Sequence, residues 1–140
     1  MFKKILFIIM LFMPLKIRAM DEQAKLNQLK PEAKEVFTQF LQEARETFPK
    51  QKIIVAEVYR TQARQDKLFE KGSSTTMVRV SMHTKRLAAD IYFVKNGKIL
   101  PYEKAPYLIL GRIAERLGLT WGGRWKVPFD PGHYELRGVK

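Results

Sequence analysis

The sequence contains no cysteine and only two histidines among its 140 residues. Without thiols the fold cannot depend on disulfides, and a bound metal would have to be held by nitrogen and oxygen donors. Acidic residues are also scarce, 14 against 26 lysines and arginines, which leaves a formal net charge of +12. A surplus of that size points to an anionic partner, whether nucleic acid, anionic lipid or an acidic wall polymer. Long apolar runs are missing too. The longest, Ile5 to Leu15, falls short of the about 20 residues a spanning helix needs, and Pro14 interrupts its end. With 46% hydrophobic and 29% charged residues, the chain has an ordinary globular composition, and its length suits one domain rather than two.

The N-terminus narrows the choice of partner. Lys3 and Lys4 precede the apolar run, the layout of a secretory signal, so residues 1–19 are expected to be a signal peptide or an N-terminal tether. Cleavage after Ala19 would be poorly specified, because Ile17 is not small and Lys16 and Arg18 crowd the site. Residues 20–140 then form a single domain, exported to the periplasm or cell envelope. An exported chain meets envelope polymers and lipids rather than nucleic acid, and it is expected to act as a monomer.

From Asp21 to Phe48 apolar residues recur at three- and four-residue steps, which predicts helix, divided at Pro31 and ended by Pro49. Ile53 to Tyr59 is β-branched and predicts a buried strand. Thr61 can cap a helix running to Gly72, with Ala63, Leu68 and Phe69 inward. Ser73 to Val80 is polar and predicts a loop. Leu87 to Val94 predicts a second strand, and Asn96-Gly97 a tight turn into Lys98 to Leu100. Glu103 to Leu117 predicts a helix covering the sheet with Leu108, Ile109, Ile113, Ala114 and Leu117. Trp121 to Trp125 is a glycine-loosened loop, and His133 to Arg137 a last strand. The expected class is α+β, helices packed on a small, mainly antiparallel sheet.

The chemistry-bearing residues lie in two segments, Ser81 to Asp90 and Asp130 to Glu135, which hold both histidines. His83, Asp90 and His133 can supply the three protein ligands a catalytic zinc ion takes while a fourth position is left for water. Alternation puts Ala88, Asp90 and Tyr92 on one face of their strand. His83, at an odd separation from Asp90, must then come from a loop folded over the strand end. Pro131-Gly132 has the composition of a β-turn, which would bring Asp130 and His133 to one site. Asp130 is the candidate base. Glu135, on the face of His133, is a second candidate, or a partner that orients an imidazole.

Three blocks resemble the M15 family of zinc peptidases, which includes D-alanyl-D-alanine carboxypeptidases and L-alanyl-D-glutamate endopeptidases of wall turnover and phage endolysins. They are Val58-Tyr-Arg-Thr with Gln65 behind it, Ser81-x-His83 continuing to Ala88-x-Asp90, and Trp121-Gly-Gly-x-Trp125 followed by Asp130-x-x-His133-Tyr-Glu-Leu136. The resemblance implies a DD-peptidase-like fold and zinc on His83, Asp90 and His133, with Asp130 as base. It further implies Arg60 near the metal facing the developing oxyanion, Ser81 and Gln65 lining the substrate groove, and peptidoglycan stem peptides as substrate. Aspartate rather than glutamate at position 130 is more similar to the endopeptidase branch. Two alternatives stand beside it: a D-Ala-D-Ala carboxypeptidase of the same fold, and a non-catalytic basic module that binds the anionic envelope. Arg86 departs from the family pattern, standing where many members have glycine.

Overall fold

Proline punctuates the N-terminal half where its fixed φ and missing N–H require it. The computed structural model describes residues 15–72 and 81–139. In it helix α1 spans Leu15–Leu26 and α2 spans Pro31–Thr47, with Pro31 in the first turn and Phe48 donating its N–H to the Ala44 carbonyl at the end. The expected signal or tether over residues 1–19 falls largely outside the described residues, and the expected loop from Ser73 to Val80 falls wholly outside them. Among the described residues no helix is long and apolar enough to cross a membrane. Along α2, Ala33, Phe37, Phe40, Leu41 and Ala44 form the buried stripe that the periodicity predicts.

The sheet is antiparallel throughout. Strand β1 is Lys52–Glu57, β2 Ala88–Lys95, β3 Lys98–Ile99, β4 Thr120–Trp121 and β5 His133–Glu135, in the order β1-β2-β5-β4 with β3 also paired to β2. Asn96 and Gly97, both at positive φ, make the tight turn between β2 and β3. Ala89, Ile91 and Phe93 point from β2 into the core, where Phe40 meets Tyr134 and Phe48 meets Phe93 at ring centroid distances of 4.9 and 5.4 Å. The free edge of β1 is capped by cations from the helices: Lys25 Nζ donates to the Val55 carbonyl at 3.3 Å and Arg45 Nη2 to that of Ile53 at 3.1 Å. Such capping satisfies backbone acceptors that would otherwise invite strand addition. The α+β class is as expected.

Two helices differ from expectation in which face they bury. Helix α3, Gln62–Glu70, is capped by Thr61, whose Oγ1 accepts from the Arg64 N–H at 3.2 Å. Ala63, however, is exposed and the buried residue is Gln65, so this helix is seated by a polar contact rather than an apolar stripe. Helix α4 is shorter than the predicted pattern, Tyr107–Arg116, preceded by a separate 3₁₀ turn at Tyr102–Lys104. Its buried residues are Tyr107, Leu110, Gly111, Ile113 and Ala114, while Leu108 and Ile109 stand 38% and 48% exposed. Two fixed points set that phase. The Tyr107 hydroxyl donates to the Leu100 carbonyl at 2.7 Å and accepts from the Phe93 N–H at 3.2 Å. Gly111 lies flat on Trp121, where a Cβ would sit 2.2 Å from the indole. Trp121 is in turn held by its Nε1–H, which donates to the Pro131 carbonyl at 2.8 Å, so α4 braces the loop that carries Asp130.

Gly111→Ala is therefore expected to cost about 2 kcal/mol by overpacking against the indole, read as a lowered denaturation midpoint; an unchanged midpoint would mean that α4 does not rest on Trp121 as described.

Candidate metal centre

Register builds the centre. Asp90 of β2 pairs with His133 of β5, and Ala88 with Glu135, so these four residues share the face turned away from the core. On the other side of β2, Asp90 pairs with Glu57 of β1. Glu57 reaches that position through an irregularity between Val55 and Glu57, which leaves one extra residue on β1 and returns the glutamate to the Asp90 face.

His83 arrives from a loop folded over the start of β2, as its odd spacing from Asp90 requires. The loop is a run of turns in which the Thr84 N–H donates to the Ser81 carbonyl, the Leu87 N–H to that of Met82 and the Arg86 N–H to that of His83. Arg86 has φ of 61°, in the left-handed region that favours glycine. The departure from the family pattern thus falls on a position whose backbone suits glycine, and the guanidinium lies 4.4 Å over the Tyr59 ring. The loop keeps its shape with arginine in place.

The two imidazoles, each 1% exposed, face one carboxylate oxygen. Asp90 Oδ1 lies 3.1 Å from His83 Nε2 and 3.1 Å from His133 Nδ1. Each ring uses its other nitrogen to point outward: His83 Nδ1 is 2.7 Å from the Val58 carbonyl, and His133 Nε2 is 3.0 Å from Glu135 Oε1. Since a carbonyl and a carboxylate only accept, the outward nitrogens carry the protons. Two neutral rings would then aim lone pairs at an anionic oxygen, an arrangement that needs a positive species between them. Burial by itself would lower the His133 pKa, but its hydrogen bonds to Asp90 and Glu135 raise it to about 9. The same bonds from His133 and His83 overcome burial at Asp90 and hold its carboxyl far below the ordinary range.

This donor set fits a metal ion. The three donor atoms lie within 4.8 Å of one another, a spacing that a small contraction onto bonds of about 2.0–2.2 Å would close. His83 would bind through Nε2 and His133 through Nδ1, each ring oriented by the acceptor behind it. Glu135, buried and also bonded at 2.8 Å to Arg137 Nε, sits behind His133. Its His133 and Arg137 partners lower its pKa against the opposing effect of burial.

Asp130 closes the expected turn: the His133 N–H donates to its carbonyl at 3.2 Å, and its own N–H donates to Gly122 at 3.1 Å. Gly122 permits that approach, since a Cβ there would come within 2.3 Å of the Asp130 carbonyl oxygen. Asp130, itself buried, lies near enough to raise the pKa of Tyr92, after burial and Asp90, and that of His133, where burial opposes the rise and Asp90 and Glu135 contribute more. The Trp125 ring lies 5.2 Å from that of His133.

Arg60 and Ser81 bond to the backbone of His83, and Gln65 bonds to Arg60. Gln65 is 0% and Ser81 1% exposed, so neither presents a surface to a groove. Gln65 Oε1 accepts from Arg60 Nη1 at 2.6 Å, and Ser81 Oγ accepts from the His83 N–H at 3.2 Å. Glu57, which the sequence reading passed over, holds Arg60 by two bonds, 3.2 Å from Nε to Oε1 and 2.8 Å from Nη2 to Oε2. Its only sequence signal is a carboxylate three residues before the arginine.

Residues 74–136 match a family of M15 peptidases described as D-alanyl-D-alanine carboxypeptidase. Among solved structures, the Serratia marcescens L-Ala D-Glu endopeptidase ChiX is similar at 23% identity over 82% of this chain and 85% of that one, with a TM-score of 0.66. The LD-carboxypeptidase LdcB is similar at 21% identity over 80% of this chain, which spans 60% of that protein, with a TM-score of 0.57. The vancomycin resistance D,D-pentapeptidase VanY, solved in complex with Zn(II), is similar at 20% identity over 79% of this chain and 74% of that one, with a TM-score of 0.52. These structural likenesses are likenesses of fold. No curated protein sequence matches the chain.

Because Glu135 fixes the His133 ring from behind, Glu135→Ala is expected to weaken zinc binding about 10–100-fold in a competition titration with a chromophoric chelator; unchanged affinity would leave the ring oriented by packing alone.

Proposed function

We propose that the chain is an M15-type zinc peptidase, a reading supported by the partial family match and by the fold, and that it hydrolyses peptidoglycan stem peptides, most specifically as an L-alanyl-D-glutamate endopeptidase. The observation that carries the reading is the convergence of His83 Nε2, Asp90 Oδ1 and His133 Nδ1 on one point, with the far side of each ring already committed. Those three residues would hold the metal. When bound there, zinc supplies a Lewis acid for the scissile carbonyl and lowers the pKa of a water to about 7.

The chain's own residues supply the rest. Asp130, fixed by the turn that also starts β5, takes a proton from the attacking water and returns it to the leaving amine. Glu135 is spoken for by His133 and Arg137, which favours Asp130 as the base. Among the described residues Arg60 spends three of its five N–H donors on Glu57 and Gln65, which leaves two for the oxyanion or for a substrate carboxylate. Ser81 and Gln65 serve at one remove, through the His83 loop and through Arg60.

Aspartate at 130 and the likeness to ChiX support the endopeptidase reading. The matching family's description favours the second one, a D-Ala-D-Ala carboxypeptidase on the same centre. In either case the substrate lies outside the cytoplasm, in keeping with the basic, apolar N-terminal segment, and the surplus positive charge draws the enzyme to an anionic envelope.

Incubating the protein with defined stem peptides, with and without chelator, and weighing the products identifies the bond cut. Asp130→Asn is expected to retain zinc and lose at least about 100-fold in kcat, while His133→Ala loses zinc and cleavage together. Full activity in Asp130→Asn would move the base to Glu135, and cleavage that persists in chelator would remove the metal from the reaction.

A further inference from the structure

Arginine carries a long, flexible side chain, and a guanidinium beside a metal centre has nearby carboxylates to fold onto. Arg60 is nevertheless almost fully buried and bonded along two of its edges. Glu57 takes Nε and Nη2 side-on, and Gln65 takes Nη1 from the next helix. Its own N–H donates to the His83 carbonyl at 3.3 Å, tying its backbone to the ligand loop. The bulge in β1 makes this possible. With regular alternation Ala56 would oppose Asp90, and Glu57 would point to the other face; the extra residue puts Glu57 opposite Asp90 instead.

From this geometry we infer that Glu57 is a positioning residue of the peptidase: it holds the Arg60 guanidinium in one pose beside the metal centre, so that the two unspent N–H groups face the reacting carbonyl. The inference rests on the peptidase reading for the reaction that Arg60 serves. A bidentate carboxylate fixes both the plane and the direction of a guanidinium, which a single bond from Gln65 does not. Glu57 also offsets the charge of Arg60, so the pair acts through oriented hydrogen bonds more than through bare charge. Arg64 touches the same carboxylate at 2.9 Å, but its side chain is 62% exposed and its effect is screened. The Arg60 bonds, led by the hydrogen bond itself, lower the Glu57 pKa against burial, so Glu57 is the anion this grip requires.

The test compares Glu57→Ala and Glu57→Gln, each in the Arg60 and the Arg60→Ala background, on zinc-loaded full-length protein. Glu57→Ala is expected to lower kcat on a stem peptide at least about tenfold with KM little changed, and Glu57→Gln, which keeps one acceptor, to lose less. A rise in KM in place of the fall in kcat supports the same grip, with Arg60 holding a substrate carboxylate. In the Arg60→Ala background the Glu57 substitutions should add almost nothing. Independently of turnover, the Arg60 Nε–H resonance should be protected from solvent exchange in the parent protein and in part in Glu57→Gln, and exposed in Glu57→Ala. Equal losses with and without Arg60, or a protected Nε–H in Glu57→Ala, overturn the inference. A parent protein that cleaves no stem peptide counts against the peptidase reading, while the Nε–H comparison still decides the grip.

Discussion

The centre depends on one electrostatic constraint: two imidazole lone pairs and a carboxylate oxygen cannot be gathered at one buried point unless something fixes them there. Left free, each group would turn to water or take a proton of its own. The fold prevents this from behind. The Val58 carbonyl holds the outer nitrogen of His83, and Glu135 holds that of His133, so the inward nitrogen of each ring is set by an acceptor several ångströms away from the point where they meet. The same constraint acts on His133, whose bonds to Asp90 and Glu135 raise its pKa against burial, so the site favours positive charge.

The remaining architecture serves to keep those acceptors still. Val58 follows directly on β1, the edge strand, whose exposed carbonyls are covered by Lys25 and Arg45. Glu135 lies in β5, clamped between β2 and β4. Trp121 links β4 to the Asp130 turn through Pro131 and rests on Gly111 of α4, so Asp130 and His133 share a single packed support. A site on strands and on loops pinned to them is held more tightly than one on free loops. It also explains why polar residues are so fully buried here. Gln65 bonds to Arg60, Ser81 to the backbone of His83 and Glu135 to the ring of His133, so each orients a neighbouring residue.

Much of this was readable from the chain alone, for local reasons. Pro31 and Pro49 limit a helix wherever they stand, Asn96-Gly97 makes a tight turn, and Pro131-Gly132 makes another. The alternation in β2 put Asp90 on the face opposite Ile91 and Phe93, and the odd spacing of His83 required a folded loop. Other expectations failed where a distant contact chose between local options. The phase of α4 was set by the Tyr107 hydroxyl and by Trp121, which turned Leu108 and Ile109 outward. Helix α3 was seated by a glutamine, and an apolar count could not find it.

What the sequence determined by itself was the inventory and the local geometry: no thiol ligands, two histidines, carboxylates at fixed steps from them, and the turns and strand faces on which each stands. These follow from backbone sterics and side-chain chemistry within a few residues. Only the tertiary structure decided which acceptor stands behind each imidazole, which nitrogen therefore faces Asp90, and that Glu57 rather than Ala56 lies opposite Asp90. Those outcomes depend on the register between strands distant in the chain, and a one-residue bulge reverses the face of a side chain without leaving a mark in the local pattern.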